Sequence, residues 1–429
     1  MTRAPRPGSG TVSRRRFLMG GGATLVAGAA AGVDLATHSS PSHPAHHSVD
    51  QPQLPLVDVG AQPAGLPLRQ HAWNATLARD DHGNPVAPRH DRLLFFDVRG
   101  QPTDRHARIL EAALRTLERR YRWGPDGLLL TAGWGPRYFT AIGRSSPVPV
   151  ARALSDFELP AIDHYDLCLH LACDDEARLA QIEAGLLHGA PLPGSDDRVP
   201  VTDALAWRET RTGFVGTGLP AAHQDTGGIP AGRPVPRTAP LFMGFKSNLR
   251  RNQATEDAVT IPHAPFAGGT TMHISYMRLR LDSWYTDLSQ PERVARMYAP
   301  QMTPADVNRL TTDAESDPQR IGQAINHYGV IGHAQSSARA RRRGKPLILR
   351  RDFNTVDGGQ AGLHFVSLQR TIEDFVTTRT AMNASSAQLQ NPAITDTVNN
   401  GINEFIFVLR RANYIVPTRR DRSFPLLPV

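Results

Sequence analysis

Two kinds of hydrophobic spacing alternate along the first half of the chain. A continuous apolar run over residues 92–98 predicts a buried strand, and apolar positions recurring every three or four residues over 103–121 predict a helix. Elements of the same two kinds follow: strands over 127–130 and 166–172, a helix beginning after Asp174-Asp175, and an extended segment over 201–215. The order β-α-β followed by β-α-β is the ferredoxin-like plan.

The second half of the chain repeats these spacings. Apolar and alternating runs predict strands over 270–280, 346–349, 362–369 and 404–410, and helical spacing follows over 371–382. The sequence therefore predicts an α+β fold made of tandem ferredoxin-like halves, each an antiparallel sheet with helices.

Composition shifts suggest where these halves begin and end. We predict an N-terminal half over residues 65–235 and a C-terminal half over 236–415, joined by a connection rich in Gly and Pro. A Pro/His-rich linker over 37–64 precedes the first half, and a basic tail over 416–429 follows the second.

The N-terminus, residues 1–36, has the features of an export signal. Ser13-Arg14-Arg15-Arg16-Phe17-Leu18 fits the twin-arginine pattern, and an apolar stretch rich in Gly and Ala follows over 18–33. A membrane anchor is the alternative, but the stretch is shorter than the ~20 residues that a spanning helix needs. We expect export by the twin-arginine machinery to the cell envelope or the exterior, with the signal either cleaved or retained. That route carries folded proteins, which suits a protein with an inserted cofactor.

Composition and charge exclude several classes of protein. The 429 residues carry a net charge of +8, but nearly all the cations are arginine, and only Lys246 and Lys345 are lysines. No nucleic-acid-binding motif accompanies this charge, so we expect no nucleic-acid partner. The two cysteines, Cys168 and Cys173, lie five residues apart on one predicted strand and point to opposite faces, which argues against a disulfide. No zinc or iron–sulfur spacing is present.

One stretch of the second half combines several chemically useful side chains. His333 precedes an arginine-rich loop, and the apolar strand after that loop ends in Leu349-Arg350-Arg351. A neutral imidazole can bind a metal, and an arginine at a strand end can hold an anionic group or a polarised oxygen. Taken alone, the signal is weak, because one histidine among 17 is more often a surface or core residue.

The order of motifs in this stretch resembles the C-terminal half of the dye-decolorising peroxidases, a family of haem proteins. The match comprises His333, the Leu349–Asn354 segment and the Gly362–Gln369 strand, in that order. The resemblance implies a fold of the dimeric α/β-barrel superfamily with haem b in the C-terminal half. It further implies that His333 is the proximal ligand of the haem iron and that Arg350 is the distal arginine beside the breaking O–O bond.

The loop that covers the distal face of the haem departs from the family pattern. The family has a G-F-x-D-G motif there, and in this chain only Gly244 and Phe245 match it. Ser247 stands in the place of the aspartate and Asn248 in the place of the second glycine. A serine hydroxyl can orient a water molecule but is a poor base near neutral pH, so the proton-shuttling role does not transfer to Ser247.

Other carboxylates are candidates for that role. Asp352 follows Arg350 by two residues and therefore shares its strand face, where pairing with the arginine would keep it ionised. Glu256 and Asp257 follow the distal loop and are the weaker candidates, with a salt bridge or loop cap as the alternative for each. Because successive side chains on a strand point to opposite faces, only one of Arg350 and Arg351 should face the pocket.

The resulting expectation is an exported haem peroxidase-like oxidoreductase that uses hydrogen peroxide to oxidise small aromatic molecules. The missing distal aspartate favours an alternative, a non-catalytic haem-binding or haem/iron-handling envelope protein. A haem-free scaffold that kept the fold is a third hypothesis. The resemblance also admits a homo-oligomer, of a subunit number that the sequence does not set.

Overall fold

The computed structural model describes residues 57–247, 249–303, 306, 317–384 and 400–428. The predicted signal over 1–36 and most of the predicted linker lie outside these residues. The strands of the described part are β1 (His90–Val98), β2 (Leu129–Trp134), β3 (Ala161–Ile162), β4 (Leu167–Cys173), β5 (Leu205–Phe214), β6 (Thr270–Leu279), β7 (Leu349–Arg350), β8 (Phe353–Thr355), β9 (Gly362–Gln369) and β10 (Ile406–Val416).

Helices connect these strands on both sides of the sheet. The α-helices of the described part are α1 (Asp104–Arg120), α2 (Pro136–Ala141), α3 (Glu176–His188), α4 (Leu219–Ala222), α5 (Glu256–Val259), α6 (Leu281–Thr286), α7 (Gln290–Met297), α8 (Pro318–Gln323), α9 (His333–Ala338) and α10 (Ile372–Met382). A π-helical turn, Ala324–Tyr328, follows α8. Helix α3 begins as predicted, with the Asp175 carboxylate accepting from the Arg178 backbone N–H.

The sheet topology confirms two copies of the ferredoxin-like plan. The strands lie in the order β2-β4-β1-β5-β8-β9-β6-β10-β3, and β7 also pairs with β9. The two-residue strand β3 is not counted in this plan. Of the four main strands of each half, the first lies between the third and the fourth, and the second lies outside the third. The resulting orders are β2-β4-β1-β5 in one half and β8-β9-β6-β10 in the other. In the second half, the second strand is split into β7 and β8, with Arg351 and Asp352 between them.

The two halves meet where β5 pairs with β8. Phe214 of β5 lies opposite Asn354 of β8. The neighbouring Gly213 approaches this strand so closely that a Cβ atom there would lie 2.1 Å from the Asn354 carbonyl oxygen. Glycine at 213 therefore lets the backbone of one half touch that of the other.

Three apolar layers stabilise the fold. An outer core lies between α1 and α3 and one face of the first-half sheet, with Leu94, Phe96 and Leu110 at its centre. A middle layer combines β1 residues such as Phe95 with residues of β6, β9 and β10 such as Ile274. A third core under α6 and α7 packs against the outer face of the second-half sheet. Burial of these faces is the main source of stability.

Side-chain alternation along β6 divides the second-half sheet between two environments. Met272 and Ile274 belong to the middle layer. Ser275, Met277 and Leu279 point the opposite way and line a large cavity. The side-chain period of two on a strand thus places one set of residues in the core and the other in the cavity wall.

The segment predicted as a basic tail is anchored to the first half. The Arg419 and Arg422 side chains are buried and both donate to Glu118 of α1, at 2.7 and 2.5 Å. Phe424 packs against the Trp134 ring, with 4.7 Å between the ring centroids. This segment therefore completes the outer core.

Two further features concern the covalent and membrane state of the chain. Cys168 and Cys173 are buried and free, in agreement with the prediction of no disulfide. Among the described residues, no helix has both the length and the apolar character needed to cross a bilayer.

Candidate functional site

A large cavity lies on the outer face of the second-half sheet, beneath α7, α9 and α10. It contains about 1160 Å³ of empty space, counting the part that opens to solvent. Its walls are mostly apolar and are supplied by β6, β9, β10 and the helices, including Met277, Phe365, Phe375 and Ile406. Phe245, Ser247, His333, Arg350 and Asp352, all selected from the sequence, line it together.

A sharp turn brings the loop after residue 240 over this cavity. Gly244 has a φ of +88°, a conformation that glycine adopts without strain. Phe245 follows and packs edge-on against Tyr298, with ring centroids 5.4 Å apart. The buried Asn354 side chain fixes the start of the loop by accepting from the Phe242 backbone N–H at 2.8 Å. Gly244 therefore shapes the loop, whereas Phe245 contacts the cavity.

The loop meets the split second strand at three polar groups. The Ser247 hydroxyl donates to the Asp352 carboxylate. The Arg350 guanidinium donates to the Ser247 carbonyl at 2.8 Å. Arg350 Nε and Asp352 Oδ1 are buried and have no hydrogen-bond partner among the described residues. One donor and one acceptor are therefore available to a ligand.

Burial dominates the protonation of the Asp352 carboxyl group. It raises the pKa of Asp352 above its ordinary value, while Arg350 and the Ser247 hydroxyl act in the opposite direction. The sequence-based expectation that Arg350 would keep this carboxylate fully ionised overlooked the desolvation, since only 5% of the residue is exposed. A carboxyl group with a raised pKa is better suited to accept and return a proton.

The structure decides between the two consecutive arginines. Arg350 lines the cavity, whereas Arg351 turns to the other side of the strand and stacks on Trp73, 3.7 Å from the ring centroid. Arg351 also donates to the His71 carbonyl at 2.6 Å. Alternation along the strand was therefore a sound guide, and Arg351 has a structural role.

The two weaker carboxylate candidates have structural roles outside the cavity. Asp257 lies at the surface and pairs with Arg69. Glu256 accepts from the backbone N–H groups of Trp73 and Asn74 at 2.7 and 2.8 Å. These contacts match the loop-cap and salt-bridge alternatives.

Close backbone packing fixes the position of His333 at the start of α9. A Cβ atom on Gly332 would lie 2.2 Å from the Tyr298 carbonyl, so only glycine lets this turn pack against the end of α7. On the other side, a Cβ atom on Gly401 would lie 2.9 Å from the His333 backbone nitrogen. These two contacts hold the histidine backbone against the cavity wall.

The His333 imidazole is neutral under ordinary conditions. Burial, then the positive charges of Arg350 and Arg379, lower its pKa to about 3. Its ring has no hydrogen-bond partner among the described residues. A neutral imidazole that faces a cavity with a free ring nitrogen is the form that binds a metal.

Sequence reasoning missed two cavity arginines and their partner. Arg379 of α10 and Arg411 of β10 line the cavity, and both donate to the buried carboxylate of Glu158. Glu158 comes from the first half of the chain, so no local pattern connects it to the site.

The side chains around this cavity fit a haem. The space is large and mostly apolar, a neutral histidine faces it, and Arg350 and Asp352 retain an unpaired donor and acceptor. His333 would ligate the iron, and the apolar side chains of β6, β9 and α10 would contact the ring. Among the described residues no group of three or more His, Cys, Asp or Glu side chains is arranged to hold a metal ion.

Residues 88–418 match a family described as a family of unknown function, DUF7405, and the chain belongs to it. No curated protein matches the sequence.

Comparison with solved structures shows which fold this chain has. A variant of DypB from Rhodococcus jostii in complex with heme aligns with a TM-score of 0.56 at 13% identity, covering 83% of this chain and 98% of that one. Ferric DtpA from Streptomyces lividans aligns with a TM-score of 0.54 at 20% identity, covering 85% and 96%. The encapsulated DyP-type peroxidase of Mycobacterium smegmatis gives 0.51 at 16% identity, covering 82% and 100%. The chain has the fold of the DyP-type peroxidases, which confirms the resemblance found in the sequence at the level of the fold.

The depressed pKa of His333 leads to a prediction about acid stability. In the unfolded chain this histidine binds a proton below its ordinary pKa of 6.5, whereas the folded chain excludes that proton down to about pH 3. The free energy of unfolding is therefore lost as the pH falls below 6.5. Between pH 7 and pH 5, we expect the cofactor-free His333→Ala variant to lose about 2 kcal/mol less of its free energy of unfolding than the cofactor-free wild type loses.

Urea unfolding of both proteins at the two pH values measures this difference. His71, whose pKa burial also lowers to about 3, is present in both proteins and contributes the same background. An equal loss in wild type and variant would show that His333 is not held neutral.

Proposed function

We propose that this protein is a haem-dependent peroxidase-like oxidoreductase that uses hydrogen peroxide to oxidise small aromatic molecules. The observation that carries the proposal is that one apolar cavity brings together a neutral histidine, His333, and the Arg350–Asp352 pair. These are the residue types that peroxide activation at a haem requires: an axial ligand, a cation and a proton-transferring group. The shared fold supports the proposal.

His333 is the iron ligand of this proposal. Its imidazole is neutral, faces the cavity and is fixed by the packing of Gly332 and Gly401. It therefore needs neither deprotonation nor rearrangement of its backbone to bind iron. The haem, when bound, supplies the redox chemistry, in which peroxide is reduced and the aromatic donor is oxidised.

Arg350 stabilises negative charge at the oxygen atoms of the oxidant. Its bond to the Ser247 carbonyl holds the guanidinium in place, and its buried Nε–H is free to donate. A fixed donor of this kind typically contributes about 3–4 kcal/mol to a charged transition state.

Asp352 moves the proton. Its Oδ1 atom is free and the pKa of its carboxyl group is raised by burial, so it can accept a proton from the bound oxidant and return it to the leaving oxygen. The Ser247 hydroxyl holds the other carboxylate oxygen. In this proposal Ser247 positions the base and does not itself act as one.

A second function remains a candidate because Ser247 stands where the dye-decolorising peroxidases have their distal aspartate. If Asp352 does not transfer protons, the same cavity would serve a non-catalytic haem-binding or haem/iron-handling protein. Peroxide would then slowly bleach the haem, with no accelerated turnover of an aromatic donor.

Replacement of Asp352 by asparagine separates the two functions. The amide keeps the size and a bond to Ser247 but cannot accept the proton, so we expect peroxide turnover to fall by about 10²–10⁴-fold. Stopped-flow measurement of peroxide consumption with a phenolic donor gives the rate. Asp203→Asn, which alters an exposed aspartate, is the matched control and should retain the wild-type rate. Unchanged turnover in Asp352→Asn would contradict the assigned proton transfer.

We also propose that the protein is exported by the twin-arginine pathway to the cell envelope or the exterior. The Ser13–Leu18 motif and the following apolar stretch support this proposal. Export of the folded chain would allow the haem to be inserted before translocation.

Conversion of the three arginines at positions 14–16 to lysine tests export while keeping the charge. We expect the variant to remain in the cytoplasm as a full-length precursor, because the pathway's receptor recognises arginine at this motif. Fractionation and immunoblotting of the full-length chain give the distribution. Equal export of variant and wild type would contradict this route.

A further inference from the structure

The cavity has a charged wall that the proposed reaction does not use. Glu158 is 4% exposed and accepts from Arg379 Nε at 3.0 Å and from Arg411 at 2.8 Å. Both arginines are themselves at least nine-tenths buried and line the cavity. Two guanidinium groups therefore share one carboxylate at the edge of an otherwise apolar space.

A β-bulge turns Arg411 toward the cavity. Ile406 and Val408 of β10 line the cavity, so simple alternation would place Arg410 there next. The register against β6 shifts between Val408 and Arg410, and Arg411 faces the cavity instead. Arg410 points away and pairs with Asp163 at 2.8 Å. Bulges of this kind commonly re-aim a side chain next to a functional site.

The described residues do not fully balance the positive charge at this wall. Beyond Glu158, the described residues offer the Arg411 guanidinium a hydrogen bond to the uncharged His273 Nε2 atom, at 3.4 Å, and the face of the Phe375 ring, 5.6 Å from its centroid, while its Nε–H has no partner among them. His273 is neutral, because burial holds its pKa well below the ordinary value. Its Nδ1–H donates to Asn413, which leaves Nε2 as an acceptor without charge. Two cations and one carboxylate leave one positive charge facing the cavity.

A carboxylate is the ligand group that this wall best fits. Guanidinium groups hold carboxylates through charge-assisted hydrogen bonds, and such bonds are strongest where water is excluded. Building on the function proposed above, we propose that Arg411 and Arg379 bind a propionate carboxylate of the haem. The apolar cavity-lining residues of β6 and β9, such as Met277 and Phe365, would then contact the ring.

Glu158 acts as a positioning residue in this arrangement. Glu158 lies in the segment before β3 in the first half. Its carboxylate bonds both Arg379 of α10 and Arg411 of β10 and so fixes the position of one guanidinium relative to the other. It also cancels one of the two positive charges. Its removal should therefore make the wall more attractive to a carboxylate, not less.

Comparison of protohaem with its dimethyl ester tests the proposal, because esterification removes the negative charges of both haem propionates. Each ligand is titrated into the haem-free full-length chain and followed by its Soret band. We expect wild type to bind the free acid at least about tenfold more tightly than the ester. In Arg411→Met and Arg379→Met this preference should fall below about threefold, while Glu158 keeps one partner in each variant.

Two further variants separate a binding role from a structural one. Glu158→Gln should keep or increase the preference for the free acid, an effect that loss of packing would not produce. Arg410→Met removes the neighbouring cation that points away from the cavity and should retain the wild-type preference.

The outcomes distinguish this inference from the function on which it rests. Equal affinity of wild type for acid and ester, or equal weakening of both ligands in the arginine variants, would overturn the propionate site while leaving haem binding intact. Absence of a His333-dependent Soret band with either ligand would overturn the proposed function and this inference with it.

Discussion

An apolar layer packs between the first-half and second-half portions of the sheet, and it determines how the rest of the second half is arranged. Phe95 of β1 and Ile274 of β6 are buried together in this layer. Their burial determines which face of each second-half strand is covered. The opposite face of β6, β9 and β10 must then be covered by helices or by a ligand. The helices of the described part cover this face incompletely, and the remaining space is the cavity. A one-residue shift of a strand would exchange the two faces, so packing between the halves determines the composition of the site.

Within that cavity, the distribution of charge determines what can bind. Arg350, Arg379 and Arg411 line an apolar space. Among the described residues, the Glu158 carboxylate accepts from Arg379 and Arg411, whereas the Asp352 carboxylate accepts from the Ser247 hydroxyl. Burial, together with the positive charges of Arg350 and Arg379, lowers the pKa of His333, and Arg350 opposes the effect of burial on the pKa of Asp352. The cavity therefore favours a large apolar ligand with an acidic edge and a metal that accepts one imidazole.

Much of the fold was predictable because its elements have clear periodicity. Helix α1 was placed within one residue at each end, and the tandem order followed from the repeated pattern of strands and helices. His333 and Arg350 were selected because the motifs around them resemble a known family, and Asp352 was selected because strand alternation places it on the same face as Arg350. Arg411 was not found, because the predicted strand ended at residue 410, whereas β10 spans Ile406–Val416 and a bulge in it turns Arg411 toward the cavity. Glu158 was missed because its role depends on contacts between distant segments.

The proposed function depends on His333 ligating a haem in this cavity. Its most direct test is the visible absorption spectrum of the purified protein from a haem-supplied host, wild type beside His333→Ala. We expect a Soret band in wild type that is lost or shifted in the variant, because the variant lacks the imidazole proposed to bind the iron. A folded wild-type protein without a Soret band, or a band unchanged in the variant, would contradict it.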